Sequence, residues 1–377
     1  MNRNVDIIVS GHLCLDLIPR MEHVPLNSLS SPGRLFEVGA MDVSTGGAVS
    51  NTGLALHRLG VSVRLMATVG GDMLGRATVE FLNTRDPALS QLITVQPELS
   101  SSYTIVLAPQ KVDRIFLHAS GPNALFGIAN IDFTLIAQTK IFHLGYPPLL
   151  PRLIADNGAE LEELYRRAKL AGVLTSMDLT LPDPNGLSGQ ADWPTILRRT
   201  LPYVDVFVPS IEEILFMLRR TDYDAWRGDI LAHLSADYLD ALATDLLEMG
   251  PAIVGFKLGA LGFYVRGNRP SRLNRLVLNR LVRLPLRAEA WANARAWHPA
   301  FQVHVVGTTG AGDSAYAGFL AALLRGMGPQ DAIRWACAVG ACNVEAADAT
   351  SGIRTWDETQ ARLDAGWPTL DVCLPGL

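Results

Sequence analysis

Lysine is scarce in this sequence. Only Lys111, Lys140, Lys169 and Lys257 occur in 377 residues, so arginine carries most of the positive charge. No G-x-x-x-x-G-K-[ST] run exists, which excludes a Walker A phosphate loop. Cysteine is equally sparse. Cys14, Cys337, Cys342 and Cys373 form no C-x-x-C pair, and no Cys/His spacing matches a zinc site. They read as reduced, mostly buried thiols. No apolar run approaches the ~20 residues of a membrane span. Asp6 interrupts the first apolar run, Asp16 follows, and no small-residue cleavage site is evident. A secretory signal is therefore not expected, and a cytoplasmic location is. The formal net charge of −5 offers no electrostatic footprint for nucleic acid. Internal repeats and low-complexity tracts are absent.

Hydrophobic residues make up 49% of the chain and charged residues 18%. This balance supports a large buried core. Short apolar runs at 5–9, 61–69, 141–145, 173–179, 204–208 and 252–256 read as strands. Helical patterns follow Gly46-Gly47 through Leu59, and cover 74–83, 157–171, 209–220 and 236–249. Such alternation predicts βαβ units and a mostly parallel sheet covered by helices. Segments 34–43, 102–108 and 114–119 look extended. Two stretches, 221–235 and 266–300, read as insertions. The second carries Arg266, Arg269, Arg272, Arg275, Arg280, Arg283 and Arg287 against one acidic residue, Glu289. It is expected to be a solvated loop or exposed hairpin.

The run with most chemical content is Val306-Gly307-Thr308-Thr309-Gly310-Ala311-Gly312-Asp313-Ser314. Tyr316, Phe319, Leu320, Leu323 and Leu324 follow at helical spacing, and Val303 to Val306 reads as a preceding strand. A small-residue loop entering a helix leaves unpaired N–H groups and partial positive charge for an anion. Asp313 at the helix mouth is placed to accept a proton. An Asp there is also an ordinary N-cap, and glycine turns are common. The loop does not meet the dinucleotide pattern G-x-G-x-x-G.

The full run closely resembles the C-terminal D-T-T-G-A-G-D signature of the ribokinase-like (PfkB) carbohydrate kinases. Upstream, Thr45-Gly46-Gly47-Ala48-Val49-Ser50-Asn51, Leu59-Gly60 and Val69-Gly70-Gly71-Asp72-Met73-Leu74-Gly75 resemble the family's N-terminal signature. Weaker similarities are Pro209-Ser210-Ile211-Glu212-Glu213 to P-N-x-x-E, and Lys257-Leu258-Gly259-Ala260-Leu261-Gly262 to T-L-G-x-x-G. Arg114 to His118 with Gly121-Pro122-Asn123-Ala124 is similar to a stretch near the substrate lid. The resemblance spans about residues 5–355.

It implies a doubly wound α/β fold, a mostly parallel sheet flanked by helices, as one kinase domain over 1–377. A small β-sheet lid would come from segments near 13–43 and 101–120. It implies ATP-dependent phosphorylation of a sugar hydroxyl, with Asp313 as base and Gly310, Ala311 and Gly312 as anion hole. Asp16, Gly46, Gly47 and Asn51 would bind the sugar. Ser210, Lys257, Gly259, Thr308, Gly310 and Gly312 would face ATP, and Glu213 would serve Mg²⁺. Pairing of two chains through the lid is also implied. Neither nucleic acid nor membrane is expected as a partner. A nucleoside kinase on the same scaffold, and a sugar- or nucleotide-binding sensor without turnover, are the alternatives.

Several positions depart from the family pattern. Gly307 stands where many members have an Asp that helps hold a monovalent cation, so weak or no potassium dependence is expected; a strong potassium requirement in a kinase assay would contradict this. Gly145 or Tyr146 replaces an acidic sugar contact, and Cys337 falls near an adenine-side Asn.

Overall fold

Runs of Val, Ile, Leu and Phe fit a pleated surface buried on both sides. The computed structural model describes residues 5–21, 23–108, 115–278 and 284–377. Its strands are β1 (Ile7–Gly11), β2 (Cys14–Pro19), β3 (Met41–Gly46), β4 (Val63–Gly70), β5 (Leu92–Gln96), β6 (Tyr103–Leu107) and β7 (Ile115–Ala119). They continue with β8 (Ile141–Gly145), β9 (Leu174–Asp178), β10 (Val206–Phe207), β11 (Ile253–Lys257), β12 (Phe263–Gly267) and β13 (Arg295–His298).

Nine strands form one sheet in the order β13-β12-β11-β10-β9-β8-β1-β4-β5. It is parallel from β5 to β11, and β12 and β13 add antiparallel at one edge. Parallel pairing requires crossovers, and helices supply them. Successive strand residues point to opposite faces. Ile7 and Val9 accordingly join one buried cluster with helices Ala48–Arg58, Ala311–Leu324 and Pro329–Asn343. Ile8 joins the other, with helices Pro151–Leu170, Ile211–Leu218 and Ala236–Glu248. The result is three layers with the sheet in the middle.

The remaining four strands form a small sheet, β3-β2-β6-β7. Its outer pairs are antiparallel and its central pair, β2 with β6, is parallel. Met41, Val43, Phe116 and Leu117 on it are exposed. Residues 34–40, expected to be extended, form no strand.

Two further expectations need correction. Val303 to Val306 is not a strand. This segment has left the sheet: the Val306 and Gly307 N–H groups donate to the Val344 carbonyl at 2.8 and 3.3 Å, and Val305 and Val306 are exposed. Nor is 266–300 a solvated loop. β12 and β13 extend the main sheet, the Pro270–Leu278 helix buries Leu273 and Leu276, and Trp291 is fully buried. Three of its arginines meet acids of the body. Arg272 donates to the Gly250 carbonyl and to buried Asp205, while Arg266 and Arg295 pair with Asp240. Lys111, Arg114, Arg280 and Arg283 lie outside the described residues. Among those described, no helix is long and apolar enough to cross a membrane.

Candidate active site

The register of the main sheet brings its carboxyl ends level. Gly11 of β1 sits beside Gly145 of β8, and Gly145 beside Asp178 of β9. Ser210 and Lys257 are bridged a little further along the same edge. In open α/β sheets ligands bind beyond this edge. Here it is closed off by the N-terminus of the Ala311–Leu324 helix, whose N-cap Gly310 is left-handed at φ +72°.

Asp313 lies in the first turn of that helix, 3% exposed. The Asn51 side-chain amide donates to its Oδ2 at 3.0 Å, and the Tyr146 hydroxyl to the same oxygen at 2.7 Å. Thr52 donates to Oδ1 at 3.4 Å. Burial pushes the Asp313 carboxyl up, while the Lys257 charge and these three donors pull it back. Asn51 and Thr52 sit on the Ala48–Arg58 helix, which Gly47 starts. The upstream glycine element therefore touches the downstream loop directly.

Lys257 ends β11 with its Nζ 2.5 Å from Asp178 Oδ1. Burial opposes its charge, but Asp178, Glu213 and Asp313 hold its ammonium above the ordinary lysine range. Burial pushes Asp178 up, and Lys257 pulls against that. Buried together, each offsets part of the other's desolvation cost. Lys257 also flanks the glycine loop: a Cβ on Gly312 would lie 3.4 Å from its Cδ.

A cleft of about 540 Å³ opens here. Ser210, Glu213, Lys257, Gly259, Thr308 and Gly310 to Asp313 all line it, as the sequence reading grouped them. Its polar lining includes Tyr146, Glu213 and Lys257, and its apolar lining includes Phe301, Val305, Cys337, Ala341, Val344 and Leu370. Helix N–H groups and an ammonium suit a phosphate chain, and apolar walls suit a flat base. The Glu213 carboxylate also accepts from the Ser210 N–H at 2.7 Å in a capping box. A hard carboxylate oxygen in a phosphate cleft suits Mg²⁺, which takes one or two carboxylates and completes its shell with phosphate and water.

Asp16, Gly46, Gly47 and Asn51 do not line that cleft; Gly46 lies against Asp16, Gly47 caps the helix that carries Asn51, and Asn51 bonds Asp313. A Cβ on Gly46 would sit 2.3 Å from Asp16 Oδ2, so the carboxylate needs glycine there. Gly47 has φ +85°, and a Cβ on it would meet His12 Nδ1 at 2.4 Å. Burial pushes the Asp16 carboxyl up to about 6. Asn51 Oδ1 is a buried acceptor without a partner.

Sequence reasoning missed Asp178, Thr52 and His12, and treated Tyr146 only as a departure. Asp178 carried a readable signal, a carboxylate closing the buried run LTSMD at a strand's carboxyl end. Tyr146 carried little beyond its place after Gly145; its φ of +62° is visible only in three dimensions.

Comparison with known proteins bears on family and fold. The model of the pfkB family carbohydrate kinases matches residues 5–356. A 2-dehydro-3-deoxygluconokinase of Bacillus subtilis is 23% identical over 364 residues, covering 93% of this chain and 96% of that protein. A nucleoside kinase of Methanothermobacter thermautotrophicus is 23% identical over 380 residues, covering 97% and 98%. Among solved structures, a putative ribokinase II of E. coli in complex with ATP and Mg²⁺ superposes with TM-score 0.69 at 18% identity, covering 96% of this chain and 99% of that one. That likeness establishes the ribokinase fold.

Proposed function

The chain belongs to the pfkB family of carbohydrate kinases, and on that premise we propose that it moves the γ-phosphoryl group of ATP to a hydroxyl of a small sugar, with Asp313 as the general base. The observation that carries this reading is the hydrogen bond from Asn51 to Asp313 across 262 positions of sequence. It joins the acceptor side of the site to the phosphate side at one carboxylate.

The acceptor hydroxyls bind Asp16, the Gly47 backbone and Asn51, which offer acceptors and donors suited to a polyol. The acceptor displaces Tyr146 or Asn51 from one Asp313 oxygen and hands its proton to that oxygen. Gly310, Ala311 and Gly312 turn backbone N–H groups toward the charge that develops on the phosphoryl oxygens. Thr308, Ser210 and Gly259 contribute polar or close-approach contacts along the nucleotide, and Lys257 adds a fixed positive charge. We assign Glu213 to Mg²⁺; the ion, when bound, neutralises phosphate charge. The small sheet acts as a lid that excludes water. Its exposed Met41, Val43 and Leu117, on one face by the strand register, suit pairing with a second copy, which light scattering tests; a monomer at high concentration would contradict it.

A nucleoside acceptor is the second reading, favoured by Phe116, which stands exposed on β7 where a base could stack. ATP turnover against a panel of sugars, sugar acids and nucleosides tests both. A sugar or sugar acid as best acceptor supports the proposal. A nucleoside as best acceptor replaces it with the second reading, and tight ligand binding without turnover would indicate a sensor.

A further inference from the structure

The floor of the acceptor side holds a side-chain cluster that the phosphoryl-transfer mechanism does not use. His12 follows β1, Cys14 opens β2, and His118 lies on β7 of the small sheet. One ligand atom from each lies within 4.8 Å of the others. His12 Nε2 and His118 Nε2 face each other at 3.2 Å. We propose that His12, Cys14 and His118 form a binding site for a soft or borderline divalent metal of the zinc class, closed by the small sheet.

Two imidazoles and a thiolate are the donors such ions prefer, whereas Mg²⁺ prefers oxygen. Tetrahedral bonds of ~2.0–2.3 Å place two nitrogens and a sulfur roughly 3.3–3.6 Å apart, so capture needs a contraction of up to about 1.3 Å. His118 is already oriented. Its Nδ1 lies 3.1 Å from Thr104 Oγ1, and a donated Nδ1–H leaves the Nε2 lone pair free. Thr104 Oγ1 is also 3.5 Å from Cys14 Sγ. His12 Nδ1 is buried with no partner, so its proton can move there when Nε2 takes a metal. On binding, the Cys14 thiol releases its proton to solvent, and no electron is transferred. His118 is exposed and gives the ion a way in.

Occupancy has a consequence that rests on the kinase reading. Cys14 Sγ lies 3.3 Å from the Asp16 carboxylate, so the ion and a sugar would compete for one space.

The test is Co²⁺ titration of the reduced, full-length protein, read by absorption. Expected is one Co²⁺ per chain, with a thiolate-to-cobalt charge-transfer band and tetrahedral d–d bands. Both are lost in Cys14→Ser and in His118→Ala and kept in Cys373→Ser, with circular dichroism confirming the fold of each variant. Absence of the bands, their persistence in either ligand variant, or their loss only in Cys373→Ser would overturn the site. Zn²⁺ is then added to a turnover assay and withdrawn with chelator. Reversible loss of turnover, competitive with the sugar, supports exclusion; unchanged turnover with metal bound overturns exclusion alone. No turnover by the metal-free protein would instead sink the kinase reading and leave the metal site standing.

Discussion

At Asp313, burial raises the carboxyl pKa while the Tyr146, Asn51 and Thr52 donors and Lys257 lower it. Tyr146→Phe removes one donor. The carboxyl becomes harder to deprotonate, so if it is the general base proposed above the acidic limb of the kcat/KM profile moves to higher pH; a limb that stays in place would show that Tyr146 does not tune it. Asp16 gives a second test at this scale. Its pKa stands raised to about 6 by burial. The folded state thus binds the proton more tightly than the unfolded chain, and stability falls as pH rises from the ordinary Asp value through about 6. Above that, the buried charge is a standing cost. Asp16→Asn should raise the melting temperature at pH 8, raise it far less at pH 4, and cut kcat/KM for the sugar. A lower melting temperature at pH 8 would refute the burial argument. The glycine signatures made Asp313 and Asn51 legible in the sequence. Tyr146 was not, because an aromatic after an apolar strand looks like core until its hydroxyl is located.

The site is built by elements that end at one sheet edge, and their buried ion pairs are unequal. Lys257 is the one cation within bonding reach of Asp178 among the described residues, and both are nearly inaccessible. Asp205 by contrast has two partners, Lys169 and Arg272. Lys257→Met strands a buried carboxylate and should cost about 3–5 kcal/mol of unfolding free energy. Arg272→Ala leaves Lys169 in place and should cost about 1.5–3 kcal/mol. Urea denaturation separates the two, and a larger loss for Arg272→Ala would contradict this account. Arginine count alone did not reveal the role of 266–300, because the acids it meets, Asp205 and Asp240, lie far away in sequence. The Val-rich stretch 303–306 failed for a related reason. Strand propensity reports fit to a sheet surface, and here β13 already forms the edge.

Across the whole molecule, the βα rhythm was legible because each apolar run is short and each helix amphipathic. The order of strands was not, since it depends on crossovers that periodicity does not encode. The small sheet was legible only through the family resemblance, because its strands are separated by elements of the large sheet. The central proposal is that these two sheets place a sugar side and a nucleotide side about one carboxylate. The direct test is phosphoryl transfer by Asp313→Asn, at saturating ATP and the best acceptor from the panel, beside a check of folding and ATP binding. The account predicts turnover lower by about 10²–10⁴-fold, with the fold and ATP affinity retained. Turnover within a few-fold of the native protein would contradict it.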